Sequence, residues 1–170
     1  MPNAMFFYRI SRWFYKFNVP VVPKFFQLII FIIYNSRVPC SADIGKGSFL
    51  VVKGIGVSIH DGAKIGKNCS IGIGCKIVGK SPYKKVPVLG NGVFIGPGAV
   101  IVGPVIIGNN VIVAPNSVVT KSVGDGYIIA GVPAKIIGHI DELPYNILDN
   151  VSKDESIADY LVDKRVKIND

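Results

Sequence analysis

The chain has 170 residues, 49% of them hydrophobic, and a formal net charge of +8. That length and apolar content fit one main domain with a sizeable core plus appendages. Between residues 38 and 138 its basic residues are spread singly through a repeat instead of clustering with aromatics, which argues against a nucleic-acid partner and leaves a phosphorylated ligand or an anionic surface.

Residues 1–36 carry a run of aromatics with Arg9, Arg12, Lys16 and Lys24 and no acid. FFYRISRWFYKF predicts a short helix, NVPVVP breaks it, and KFFQLIIFIIYN predicts a second helix. The apolar run from Phe25 to Tyr34 is shorter than the ~20 residues that span a bilayer. Two roles are expected of this segment. It covers the open end of the following fold and packs against other subunits. Its aromatics and bases also suit peripheral contact with a membrane surface at the inner face of the cell membrane.

From residue 38 a period of six takes over. Aliphatic residues recur at Val38, Ile44 and Leu50, at Ile65, Ile71 and Ile77, and from Leu89 through Ile95, Ile101, Ile107 and Val113 to Val119. Four places after each mark lies a small or β-branched residue, such as Ala63, Cys69, Cys75 and Ala99. Glycine follows the mark at 45, 66, 72, 90, 96 and 108, where it is expected to serve the turn geometry. Neither a helix nor a hairpin sustains such a period, whereas a parallel β-helix does, with one strand and one turn per repeat. The fold class is therefore mainly β, a β-helix with short N-terminal helices and a C-terminal helical tail. Three repeats make one turn, so Ile59 and Ile77 should stack.

The repeat is interrupted twice. The nine-residue step from Leu50 to Ile59 leaves three extra residues within VVKGIGVS, and the step from Ile77 to Leu89 throws out a polar loop, GKSPYKKVPV. The insertion, the loop and His60 are expected to share one edge. After Ile137 the pattern stops, and Ser152 with Glu155 predicts a short terminal helix. The expected organisation is residues 1–36 as an aromatic, basic helical segment, 37–138 as the β-helix and 139–170 as a tail. Cys69 and Cys75 fill small-residue slots, Cys40 has no partner motif, and no cleavable leader is visible, so a cytoplasmic setting is expected.

The segments IGKNCSIGIGCKI, IGPGAVIVGPVIIGNNVIVAPNSVVTKSV and AGVPAKIIG resemble the hexapeptide-repeat acyltransferases over roughly residues 38–138. The likeness is to the serine-acetyltransferase-like and polysaccharide O-acetyltransferase branch. It implies a left-handed β-helix, a homotrimer, and acetyl-CoA held along the coil between subunits. The positions matching the family's coenzyme contacts are Pro97, Gly98, Pro115, Thr120, Lys121 and Lys135. The family's catalytic His and its acid partner match Val52 and Arg37, which carry neither chemistry.

Acetyl transfer to a hydroxyl needs a base, and histidine suits it because the imidazole titrates near neutrality. Only His60 and His139 exist. His60, in GVSIHDG, follows an interior Ile and should point outward, so it is the candidate base, with Asp61 or Asp43 to orient it. Two histidines are too few for a three-His zinc site of the carbonic anhydrase kind, and no metal is expected. The expected function is acetyl-CoA-dependent O-acetylation of a sugar hydroxyl in surface polysaccharide synthesis. The alternatives are amino-sugar N-acetylation, serine O-acetylation, or a non-catalytic β-helix scaffold.

Overall fold

The computed structural model describes residues 2–19 and 21–143. The C-terminal helix expected around Ser152 and Glu155 lies outside them. Two helices, α1 (Ala4–Lys16) and α2 (Val21–Tyr34), precede a parallel β-solenoid. Its strands are β1 (Asp43–Ile44), β2 (Phe49–Leu50), β3 (Ser58–Ile59), β4 (Lys64–Ile65), β5 (Ser70–Ile71), β6 (Lys76–Val78) and β7 (Val88–Leu89). They continue with β8 (Phe94–Ile95), β9 (Val100–Val102), β10 (Ile106–Ile107), β11 (Ile112–Val113), β12 (Val118–Val119), β13 (Tyr127–Gly131) and β14 (Ala134–His139).

Through β12 every third strand stacks, giving three faces. Face one is β1-β4-β7-β10, face two is β2-β5-β8-β11-β13 with β14 outside it, and face three is β3-β6-β9-β12. Ile59 lies on Ile77 and Ile77 on Ile101, in parallel register. The aliphatic marks point inward: Ile59, Ile71, Ile77, Ile95 and Ile101 are all almost completely buried. Burying each such side chain contributes about 1.5–3 kcal/mol. The long step between Ile77 and Leu89 does not disturb the stacking, because β4 and β7 still pair Ile65 with Leu89.

Glycine at the repeat position has a different cause from the one expected. Gly45, Gly66, Gly72, Gly90, Gly96 and Gly108 are absent from the residues with positive φ. They are glycine because the next coil lies directly against them. A Cβ on Gly66 would stand 2.3 Å from the Gly90 carbonyl oxygen, and one on Gly96 would stand 2.5 Å from the Pro115 nitrogen. The left-handed corner positions come two residues later, and Asn68, Asn110 and Asn116 occupy several of them.

Helix α1 closes the open end of the solenoid. The Tyr8 hydroxyl donates to the Ala42 carbonyl (2.8 Å) and accepts from the Ile44 amide (3.2 Å), replacing the pairing a further strand would give β1. Arg9 donates to the carbonyls of Ile44 and Gly45 (both 2.6 Å), and Asn3 donates to Leu50 (2.7 Å). Tyr8 is fully buried, so each group it satisfies would otherwise cost about 1–3 kcal/mol. Burial pushes the Tyr8 phenol above its usual range. Helix α2 begins at Val21 with Pro23 inside its first turn, where the missing amide removes no helical bond.

The outer side of the helices is apolar. Phe6 and Trp13 on α1, Phe17 just after it, and Val21, Phe25, Leu28 and Ile32 on α2 are all more than half exposed. Among the described residues no helix is long and apolar enough to cross a membrane.

Candidate functional site

The solenoid has three edges, and the candidate residues are divided between two of them. Residues 60–63 follow β3, 79–87 follow β6, 103–105 follow β9 and 120–122 follow β12, so they share the edge between faces three and one. His60, the polar loop, Thr120 and Lys121 belong here. Residues 51–57, 72–75, 96–99 and 114–117 form the edge between faces two and three. Pro97, Gly98 and Pro115 belong there, tied by the Asn116 amide donating to the Pro97 carbonyl (2.9 Å). Strands β13 and β14 make an antiparallel hairpin, and the Gly131 amide donates to Ser117 Oγ (3.1 Å). That contact brings Lys135 to the same second edge.

The insertion therefore does not share an edge with His60, contrary to the expectation from spacing. It precedes β3 whereas His60 follows it, so the width of face three separates them. Within the insertion Val52 (φ 49°) and Lys53 (φ 60°) are both left-handed. A β-branched residue is a rare occupant of that region, and Val52 is 54% exposed.

His60 lines an open crevice of about 590 Å³ together with Val78 at the end of β6 and Gly79, Lys80, Tyr83 and Lys84 of the loop. A Cβ on Gly79 would lie 3.4 Å from His60 Cδ2 and 3.5 Å from Nε2, ordinary contact distances, so the loop backbone at Gly79 lies close beside the imidazole. His60 Nδ1 accepts the Gly62 amide at 3.1 Å. The neutral ring then carries its proton on Nε2.

The two expected acid partners are engaged elsewhere. Asp61 accepts from Arg37 Nη2 (2.6 Å), and Asp43 is paired with Arg12. Neither orients His60; the nearest guanidinium takes each carboxylate instead. To act as a base, Nε2 must pass its proton to Nδ1 and give up the Gly62 contact. A hydrogen bond of this kind is worth about 0.5–1.5 kcal/mol net, at most about tenfold in the population of the reactive tautomer. That cost is small beside the roughly 10²–10⁴-fold that a positioned base supplies.

His139 lies at the end of β14, packed edge-on to Tyr127 (5.3 Å) with Nδ1 3.1 Å from Asp141 Oδ2. It belongs to the far end of the coil and lines no part of the crevice. Cys69 and Cys75 are buried and donate to the carbonyls of Gly90 (3.2 Å) and Gly96 (3.1 Å). Burial pushes the Cys75 thiol up to about 11 and raises Cys69 as well, so both are neutral, inert thiols near neutral pH. Among the described residues no three His, Cys, Asp or Glu side chains gather as metal ligands.

Residues 87–121 match the bacterial transferase hexapeptide family, described as six repeats. Over 137 residues the chain is 31% identical to a serine acetyltransferase of Synechococcus elongatus, covering 79% of this chain and 56% of that one. The solved serine acetyltransferase of Brucella abortus strain S19 superposes with a TM-score of 0.74 at 32% identity, covering 80% of this chain and 55% of that chain. A serine acetyltransferase solved in complex with CoA superposes with a TM-score of 0.71 at 28% identity, covering 79% and 55%. The chain thus spans just over half the length of these relatives.

Proposed function

We propose, from the premise that this chain belongs to the hexapeptide-repeat acyltransferases, that it moves an acetyl group from acetyl-CoA to a hydroxyl of a sugar. The observation that carries the reading is the crevice beside His60, at the head of an edge that ends in Thr120 and Lys121. From β3 to β12 there are three strand spacings, about 14 Å, a length suited to an extended pantetheine arm.

In this reaction the acceptor oxygen bonds to the thioester carbonyl carbon and the carbon–sulfur bond breaks. The hydroxyl proton goes to His60 Nε2 and then to the departing thiolate. Gly79 lies beside Nε2, and the Tyr83 ring, 56% exposed, offers a flat apolar surface to a sugar. Support for a sugar over serine comes from Val52 and Arg37: one is an alkyl chain, and the other is bound to Asp61. The place of the reaction in surface polysaccharide synthesis is part of the same proposal.

Coenzyme binding is assigned to both edges. Thr120 and Lys121 lie on one, and Pro97, Gly98, Pro115 and Lys135 on the other, so one copy cannot close a groove containing all of them. A neighbouring copy supplies the second wall, and the protein acts as a homotrimer. One purified sample tests the reading: sedimentation should give three chains, and thiol release from acetyl-CoA should depend on a sugar acceptor. A monomer, or thiol release stimulated by serine and not by sugars, would reject it. Amino sugars in the same assay separate nitrogen from oxygen as the acceptor.

Lys121 and Lys135 are exposed cations whose expected partners are the coenzyme phosphates. Lys121→Ala and Lys135→Ala should each weaken acetyl-CoA by about tenfold or more, from the loss of a charge-assisted contact. The effect on the dephospho-coenzyme should be smaller. Equal losses on both ligands would remove these lysines from phosphate recognition.

The helical segment is proposed to rest on an anionic membrane surface. Its exposed face is apolar and aromatic, Lys16 and Lys24 are exposed beside it, and residues 1–36 contain no acid. Trp13 is the chain's single tryptophan and lies on that face. Its emission should move to shorter wavelength with vesicles containing phosphatidylglycerol; an unchanged spectrum would dismiss the contact.

A further inference from the structure

The crevice beside His60 has a lining whose charge is all of one sign. Lys80 and Lys84 reach it from the loop, and both are exposed. None of its lining residues is an acid. The neighbouring carboxylate in the chain, Asp61, is neutralised by Arg37 at 2.6 Å. The loop is shaped locally: the Tyr83 amide donates to the Lys80 carbonyl (2.8 Å), a turn that closes Lys80 against Tyr83, with Lys84 next in the chain. His60 Nε2, facing Gly79, is a further donor while the Gly62 amide holds Nδ1.

A free amino acid could offer its carboxylate to the lysines, but its ammonium would find no acid in the lining to meet it. A neutral sugar would gain nothing from the two ammonium groups, which would stay hydrated. An acceptor with a negative group satisfies both lysines, while its ring lies on Tyr83 and its hydroxyl reaches His60. We infer that the acceptor is an anionic saccharide, carrying a phosphate or a carboxylate that Lys80 and Lys84 hold. This rests on the acetyl-transfer reading above and names its substrate class.

The test uses the full chain and a readout that needs no acetyl transfer. The His60 ring resonances, assigned by their loss in His60→Asn, are followed while glucose 1-phosphate, glucuronate or glucose is added. The two anionic sugars should shift them saturably, and glucose should bind at least about tenfold more weakly. The arms separate phosphate from carboxylate as the preferred anion. In the double variant Lys80→Gln/Lys84→Gln, anionic-sugar binding should fall at least tenfold, while acetyl-CoA affinity and thermal stability stay at wild-type values. Glucose binding as tightly as the anions, silence with both anions, or unchanged anion binding in the variant would overturn the proposal. So would a variant that loses acetyl-CoA instead, since the lysines would then serve the coenzyme phosphates. Anion binding without any acetyl transfer would sink the enzymatic reading and leave this subsite standing.

Discussion

His60→Ala should lower acetyl-transfer turnover by about 10²–10⁴-fold, the range for removing a general base. Acetyl-CoA binding should be nearly unchanged, because Pro97, Gly98, Pro115 and Lys135 lie on the other edge and Lys121 lies three strands further along. Steady-state kinetics and direct binding of the coenzyme separate the two effects. His60→Gln distinguishes base from donor. An amide can still offer an N–H where Nε2 now offers one, but it cannot take up a proton near neutral pH. The base role predicts that Gln is as poor as Ala. A Gln variant within tenfold of wild type would show that the ring only polarises the substrate, and near-normal turnover by the Ala variant would refute any catalytic part for His60.

Gly66→Ala should destabilise the fold by about 3 kcal/mol or more, the upper range of overpacking. The added methyl would stand 2.3 Å from the Gly90 carbonyl oxygen and 2.5 Å from its carbon, and neither backbone atom can turn away. The coils would have to part, weakening the hydrogen bond from the Gly66 amide to the Leu89 carbonyl (3.0 Å). At roughly 2–4 °C per kcal/mol for a chain of this size, the melting midpoint should fall by roughly 6–12 °C. Gly124→Ala is the control, since its Cβ would meet only the Tyr127 ring at 3.5 Å. Equal shifts for the two variants would show that coil-to-coil clearance is not what makes the repeat glycine necessary.

The solenoid was legible in the chain itself. A period of six dictates which side chain faces inward, and Ile59 on Ile77 follows from counting eighteen residues. The helices could also be read, as two runs, FFYRISRWFYKF and KFFQLIIFIIYN, with the prolines of NVPVVP interrupting between them. His60 stood out as a polar residue directly after an interior one. Its side chain does face outward, into a crevice formed with the loop.

Other features depend on what the next coil brings, and no single repeat records that. Gly66 is glycine because of Gly90, twenty-four residues away, and not because of its own turn. Tyr8 looked like one aromatic among many, yet it finishes the hydrogen bonding of β1. Asp61 and Asp43 adjoined plausible partners by spacing, but Arg37 and Arg12 take them across the fold at shorter range than any imidazole. The insertion around Val52 seemed to share the edge of His60, and the strand between them carries it to the other side. Periodicity fixes which way a side chain points along the coil. Only the stacking of coils and helices decides which charges, donors and backbone atoms come within contact distance.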